Sequence, residues 1–269
     1  MILPEKAKAM MERTLSGAAA EGVFIPYRHA SEISPPGPYP AFEALFAAAE
    51  PAFRLVLAEI GARAGALEAF AGPPPLPRWD QDWFPRADGA AAFALAASRK
   101  PRRVIEVGSG HSTRFLAAAG APVLCIDPAP RAALAGLSVE WRGELLSEAH
   151  LPLFAALEPG DFAFFDSSHV LVPGSDVDMI LNRILPALKP GVIVHVHDVL
   201  LPDPYPADWE WRGYAEQNGL GGWLLSGALR PLFASHYAVS RMGAAETGAL
   251  SRLPLRAGAR ETSLWAVKA

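Results

Sequence analysis

The sequence predicts an α/β fold built on a doubly wound, largely parallel sheet, and three observations carry that expectation. Short apolar runs recur from residue 103 onward: RVIEV (103–107), VLCID (123–127), VEW (139–141), DFAFFD (161–166) and VIVHVH (192–197). Most are continuously apolar, as strands covered on both faces are, where a sheet with one wet face would alternate. Helical text separates most of them, including STRFLAAA (112–119) and SDVDMILNRILPALK (175–189), and strands alternating with helices pair in parallel.

Ahead of this sheet-bearing domain, assigned to 79–269, residues 1–78 are read as a helical extension. SPPGPYP (34–40) breaks the chain, and AFEALFAAAE follows with apolar residues at helical spacing. Pro51 suits the first turn of a further helix, AFRLVLAEIGARAGALEAF, which AGPPPLP (71–77) ends. These helices offer a surface through which two copies could associate. WDQDWF (79–84) either closes a ligand pocket or packs on the core, and a helix is expected over about 88–99. Ser175 followed by Asp178 is a capping-box pattern opening the long helix. The tail reads as strand in FASHYAVSRM (233–242) and TSLWAVK (262–268).

Bulk properties exclude several classes. The 269 residues carry a net charge of −4 with scattered arginines, so no nucleic-acid footprint is present. No stretch approaches the roughly 20 apolar residues of a membrane span. MILPEKAKAMMERTL lacks an apolar core behind its charges and does not read as a signal peptide, so a soluble, cytoplasmic chain is expected. The single cysteine, Cys125, has no intramolecular partner and is read as a small buried apolar residue.

In an open parallel sheet ligands bind beyond the carboxyl ends of the strands, where strand order reverses. After the first strand comes EVGSGHST (106–113). Gly108 and Gly110 permit a tight turn and close ligand approach, and the next helix begins near Ser112 with its unpaired N–H groups facing the same space. His111 is expected to matter there through its backbone. Asp127 ends the second strand about 20 residues on, where a carboxylate grips ribose hydroxyls. A tight turn with a helix cap and an incidental aspartate is the plainer alternative. Thr113 stands where a dinucleotide site wants its third glycine, which weakens a pyrophosphate cradle. Glu106 places negative charge by the loop and suits a ligand bearing an amino group.

These motifs, E-x-G-x-G with an acid ending the second strand, resemble class I S-adenosylmethionine-dependent methyltransferases. IEVGSGHST, FFDSSH, GSDV and LPALKPGVIVHVHD resemble more narrowly a bacterial subgroup related to the O-methyltransferases of macrolide sugars and cephalosporin-type compounds, over about 80–269. The resemblance implies a Rossmann-like, seven-stranded sheet whose last strand, TSLWAVK, runs antiparallel. It implies S-adenosylmethionine as cofactor and a small-molecule acceptor, with a hydroxyl as the methylated group. Carried over, Glu106, Gly108, Gly110 and Ser112 line the methionine side, Asp127 takes the ribose, Asp166 joins the cofactor set, and Glu144 lies where relatives contact adenine.

The fifth strand ends in HVHD. His195 and His197 share a face, roughly 6.5 to 7 Å apart. His195 lies one step deeper and is read as a hydrogen-bonded core residue. Asp166 and His169 of DSSH fall beside His197 and Asp198, and three readings stay open for the four. They cap strands through hydrogen bonds, or His169, His197 or Asp198 serves in catalysis with a general base removing the acceptor's proton. In the third they hold a divalent cation such as Mg²⁺ through Asp166 and Asp198, as metal-dependent relatives do. His-Asp in place of two adjacent acids departs from those relatives. LLPDPYPADWEWRGYAEQN (200–218) is long enough for a substrate lid, with Tyr205, Trp209 and Asn218 as lining residues or as anchors. His29, His150 and His236 have no supporting constellation. Rival functions are a metal hydrolase built on H-x-H-D, a scaffold that binds cofactor without chemistry, and a nicotinamide enzyme.

Overall fold

The computed structural model describes residues 4–269. Glu5–Leu15 forms α1, and after an irregular stretch come α2 (Pro40–Gly61), α3 (Ala64–Glu68) and α4 (Arg86–Arg99). The sheet then begins with β1 (Val104–Val107), α5 (His111–Ala118), β2 (Val123–Ile126) and β3 (Glu140–Arg142). It continues through α6 (Leu151–Ala155) and β4 (Phe162–Phe165). Next, α7 (Asp176–Met179) runs through a π-helical turn, Ile180–Ile184, into α8 (Leu185–Ala187). Beyond β5 (Ile193–Val196) lie α9 (Glu216–Leu225), β6 (Leu229–Ala234), α10 (Ser235–Ser240) and β7 (Leu264–Lys268).

The seven strands are ordered β3-β2-β1-β4-β5-β7-β6, the first five parallel and β7 antiparallel to β5 and β6. That is the doubly wound, seven-stranded arrangement expected, with the order reversing between β1 and β4. β1, β2, β4 and β5 are buried at every position, which explains why their text is apolar apart from Glu106 and His195. Register aligns their carboxyl ends: Val107 pairs with Ile126 and Phe165, and Phe165 with Val196. The ladder continues one residue further, since the Gly108, Asp166 and His197 amides donate to Ile126, Val107 and Phe165 at 2.9–3.0 Å. Asp127, Gly108, Asp166 and His197 therefore stand in one row.

Three local expectations differ from the structure. Pro51 lies inside one continuous helix, α2, rather than opening a new one. Phe46, Phe53, Val56 and Ile60 all reach the same core from this helix, and their packing outweighs the one hydrogen bond a proline cannot donate. FASHYAVSRM is strand only to Ala234; α10 follows, because Tyr237 turns back onto Phe46 and Phe53 at 5.6 and 5.8 Å between ring centroids. β6 starts earlier, at Leu229, and its Pro231 is tolerated at the sheet's edge. The long helix keeps its cap, Ser175 Oγ accepting from the Asp178 amide at 3.1 Å, but Asp178 accepts from Gly174 instead of closing the box on Ser175.

The apolar core runs continuously across residue 78, with α2 packed on β6 and α4. Among the described residues no helix is long and apolar enough to cross a membrane.

Candidate active site

At the β1–β2 edge, Gly108 turns with φ +83°, and a Cβ placed there would lie 1.9 Å from the Asp166 carbonyl oxygen. Only glycine fits that turn, and the same contact ties the bend to the end of β4. Thr113 occupies the position of the missing third glycine and has work of its own. Its hydroxyl accepts from the Gly110 amide at 2.9 Å and donates to Glu106 at 2.7 Å. Ser112 Oγ also donates to Glu106, at 2.5 Å, and Cys125 Sγ at 3.3 Å. The Glu106 carboxyl is thus enclosed beneath the bend instead of standing at its mouth. Burial pushes it up to about 7 despite these donors. Ser112 is committed to the same group.

Asp127 stands at the rim. Its Oδ2 accepts from Ser109 Oγ and its Oδ1 from the Ala129 amide, both at 2.8 Å. Ser109 is a residue that motif reading passes over, because the x of G-x-G carries no side-chain requirement. Residues 129–133 lie along the outer side of the bend: the Arg131 amide donates to the Ser109 carbonyl at 3.3 Å, and Arg114 to the Ala133 carbonyl at 2.9 Å. The Arg131 guanidinium rests 4.4 Å from the Trp83 ring, so WDQDWF does reach this edge. Its other aromatics pack inward, Trp79 on Phe115 at 4.9 Å and Phe84 on His197 at 5.2 Å. Glu144, just past β3, pairs with His150 at 3.1 Å.

At the β4–β5 edge the four polar residues converge. His169 Nε2 lies 3.4 Å from both Asp166 Oδ1 and Asp198 Oδ2. His197 Nδ1 lies 3.4 Å from the same Asp166 oxygen and 3.5 Å from Asp198 Oδ1. Asp198 therefore spans the two rings, one oxygen to each. His169 and Asp198 both adopt left-handed backbone, φ +61° and +53°, an uncommon conformation for side-chain-bearing residues.

Each ring has a second carboxylate behind it. His169 Nδ1 meets Glu216 of α9 at 2.8 Å, and His197 Nε2 meets Asp88 of α4 at 3.3 Å. Asp88 is anchored by the Thr262 and Ser263 amides at 2.9–3.1 Å, and Thr262 Oγ1 donates to Asp198 at 3.1 Å. Burial alone would lower both imidazoles. Asp198, Asp166 and Glu216 around His169, and Asp166, Asp198 and Asp88 around His197, outweigh it and hold both well above the ordinary value. Burial would raise Asp166, but His197 and His169 hold it well below the carboxylate range. His195, one step deeper, is a core residue: it stacks on Phe164 at 3.7 Å and bonds Ser263 at 2.9 Å.

Of the suggested lid residues, Tyr205 accepts from the Gln217 amide at 3.2 Å and Trp209 is buried, while Asn218 faces outward. Tyr214 carries that aromatic group to the site, 4.8 Å from the His169 ring. Asp88, Glu216, Tyr214 and Thr262 went unread in the sequence, since no local motif marks them. The surface hollows lined by Pro38–Ala47 and by Phe24–His29 lie on the N-terminal stretch, away from the strand ends.

Residues 105–199, from β1 to just past β5, match a family model described as a methyltransferase domain. Among solved structures the chain is similar to an O-methyltransferase from Bacillus cereus in complex with SAH, at 16% identity over 85% of this chain and 100% of that one, TM-score 0.44. It is also similar to SAH-bound methyltransferase PaMTH1 from Podospora anserina, at 16% identity over 92% and 99%, TM-score 0.42. The O-methyltransferase TomG from Streptomyces achromogenes, in complex with SAM, shares 23% identity over 62% of this chain and 78% of that one, TM-score 0.35. No curated protein matches the chain.

Proposed function

With a methyltransferase-domain segment spanning the five parallel strands, we propose that the chain transfers a methyl group from S-adenosylmethionine to a hydroxyl of a small molecule. One observation carries the reading. The glycine bend with Asp127 and the Asp166–His169–His197–Asp198 cluster occupy one sheet edge, joined where Gly108 meets the Asp166 carbonyl. A turn that only glycine can make at Gly108 keeps the bend narrow and free of side chains, which suits a ligand lying close along backbone. Gly108 and Gly110 line it, Asp127 and Ser109 hold the ribose hydroxyls, and Glu106, Ser112 and Thr113 keep the bend in shape from beneath.

The sulfonium supplies an activated methyl carbon: the acceptor oxygen bonds to that carbon as the carbon–sulfur bond breaks and the electron pair stays on sulfur. The protein's part is alignment, exclusion of water and removal of the hydroxyl proton. Asp166 and Asp198 are the more exposed members of the cluster, whereas the imidazoles are almost fully enclosed. Asp198 receives the proton, and His169 and His197 hold it in place. Tyr205, Trp209 and Tyr214 form the acceptor's aromatic wall. A cytoplasmic setting fits the unpaired, buried Cys125.

Calorimetry with S-adenosylmethionine, followed by methyl transfer to a panel of hydroxylated acceptors, tests the proposal. Binding that Asp127→Ala weakens is expected; binding indifferent to Asp127, or preference for a nicotinamide cofactor, overturns it. Binding without transfer to any acceptor would favour the non-catalytic scaffold.

A further inference from the structure

The segment 200–218 carries one guanidinium, Arg212, that forms no ion pair among the described residues. Its central carbon lies 4.4 Å from the Trp209 ring, 5.7 Å from Trp211 and 5.4 Å from Tyr214. Its side chain makes one hydrogen bond, from Nη1 to the Tyr214 hydroxyl at 3.3 Å, and its buried Nε has no partner. Arginines that fix the fold elsewhere in the chain find carboxylates. Arg86 grips Glu261 with two nitrogens, and Arg241 pairs with Asp203 and Glu43. The neighbouring Asp208 is already taken, since both its oxygens accept from Arg260, at 2.9 and 3.0 Å. Stacking on aromatic faces is enough to anchor a guanidinium. It leaves the donors of Arg212 unused, and a half-buried cation lacking an acceptor is costly until an anion completes it.

Tyr214 sets this cation beside the proposed reaction centre. The Ala215 and Glu216 amides both donate to the His169 carbonyl, at 2.9 and 3.2 Å, which clamps the segment to the residues following β4. The Tyr214 ring is 4.8 Å from the His169 ring and 5.4 Å from the guanidinium, so the cation stands at most about 10 Å from the imidazole. That interval takes one benzene ring with a polar group at each end, and Tyr205, Trp209 and Tyr214 line it with rings 5.9–6.4 Å apart. Charge orients whatever enters. Around the two imidazoles Asp166, Asp198, Glu216 and Asp88 are in excess, four to two. A ligand carboxylate is repelled from that end and drawn to Arg212, which leaves its hydroxyl toward Asp198. An amine would be turned the opposite way, and a phosphate dianion would keep a charge that one guanidinium does not balance.

We infer that the methyl acceptor is a hydroxylated aromatic carboxylic acid, with its ring against Tyr205, Trp209 and Tyr214 and its carboxylate on Arg212. The inference rests on the methyl-transfer reading for what becomes of the hydroxyl, and it names the acceptor class. Recognition of the acid by Arg212 does not depend on transfer.

The test measures binding to the full chain by calorimetry, comparing 4-hydroxybenzoate, 4-hydroxyphenylacetate and 4-hydroxycinnamate with their primary amides, which keep the shape and lose the charge. S-adenosylmethionine binding is measured separately. At least one acid is expected to bind about ten- to a hundredfold more tightly than its amide. Arg212→Gln should erase that preference and leave the amide's affinity within about threefold, and Arg212→Lys should restore part of it. Circular dichroism of each variant checks that it folds. Acids that bind no better than their amides, or not at all, would overturn the inference, as would tighter binding of tyramine. So would a preference that survives Arg212→Gln, or an equal loss for acid and amide, which would make Arg212 an anchor of the loop. Acid preference without S-adenosylmethionine binding would support the acid pocket and sink the cofactor reading; the reverse would sink the inference alone.

Discussion

At the β1–β2 edge, Gly108, Ser109 and Asp127 shape their surroundings through a backbone turn and a few short hydrogen bonds, and the one fully enclosed carboxyl, Glu106, is met by hydroxyls and a thiol. At the β4–β5 edge ionisable groups dominate: two imidazoles stand among four carboxylates, two just past β4 and β5 and two from α4 and α9. One edge selects by shape and the other by charge. A shape-selecting site can be built from neighbours in sequence, because a turn is a local object. A charge-selecting site must be assembled from afar, since like charges crowded on one short segment would repel before the fold could pair them.

Gly108→Ala should break both edges at once. The added methyl meets the Asp166 carbonyl, so stability should fall by about 3 kcal/mol or more, with loss of both S-adenosylmethionine binding and methyl transfer. Gly213→Ala, at φ +66° with open space around it, should cost only about 1–2 kcal/mol by denaturant titration. Equal costs would mean that the two edges are not joined at Gly108.

His197→Ala should separate the edges, lowering turnover about 10²- to 10⁴-fold while S-adenosylmethionine affinity stays within about threefold. A parallel loss of affinity would show the charge cluster shaping the cofactor cradle. Asp127→Ala is the mirror experiment. Losing a charge-assisted hydrogen bond should weaken cofactor binding about 10- to 100-fold with turnover at saturation little changed.

Glu106 makes the comparison depend on pH. Burial raises its pKa from 4.5 to about 7, so the folded state holds the proton more tightly than the unfolded chain does. Its contribution is fully present below the ordinary value and is lost as pH rises from 4.5 through about 7. Glu106→Gln should flatten that decline in melting temperature, and an unchanged slope would mean that another group governs it. The smallest effect belongs to Arg131→Ala. Releasing Trp83 should loosen residues 129–133 over the bend and speed S-adenosylmethionine association about two- to fivefold by stopped flow.

The two edges were unequally legible. Strand text, the glycine bend and the acid about 20 residues beyond it belong to short windows, and the structure brings Asp127 to Ser109 as that spacing anticipates. The convergence of Asp166, His169, His197 and Asp198 was also readable, once parallel pairing put two strand ends side by side. What Glu106 does was not: an acid before a glycine turn looks like a ligand contact, and only packing shows that Ser112, Thr113 and Cys125 enclose it. Pro51 and α10 misled for a related reason, because local breakers and strand-like residues yielded to the aromatic packing of Phe46, Phe53 and Tyr237.

By itself the sequence determined the doubly wound sheet, the row of strand ends and the residue types that stand there, because periodicity and turn chemistry act over a few residues. Tertiary structure alone decided which carboxylates back the histidines. Glu216 lies 47 residues from His169, and Asp88 lies 109 from His197. No local pattern spans such separations; they close only when α4, α9 and β7 pack against the sheet.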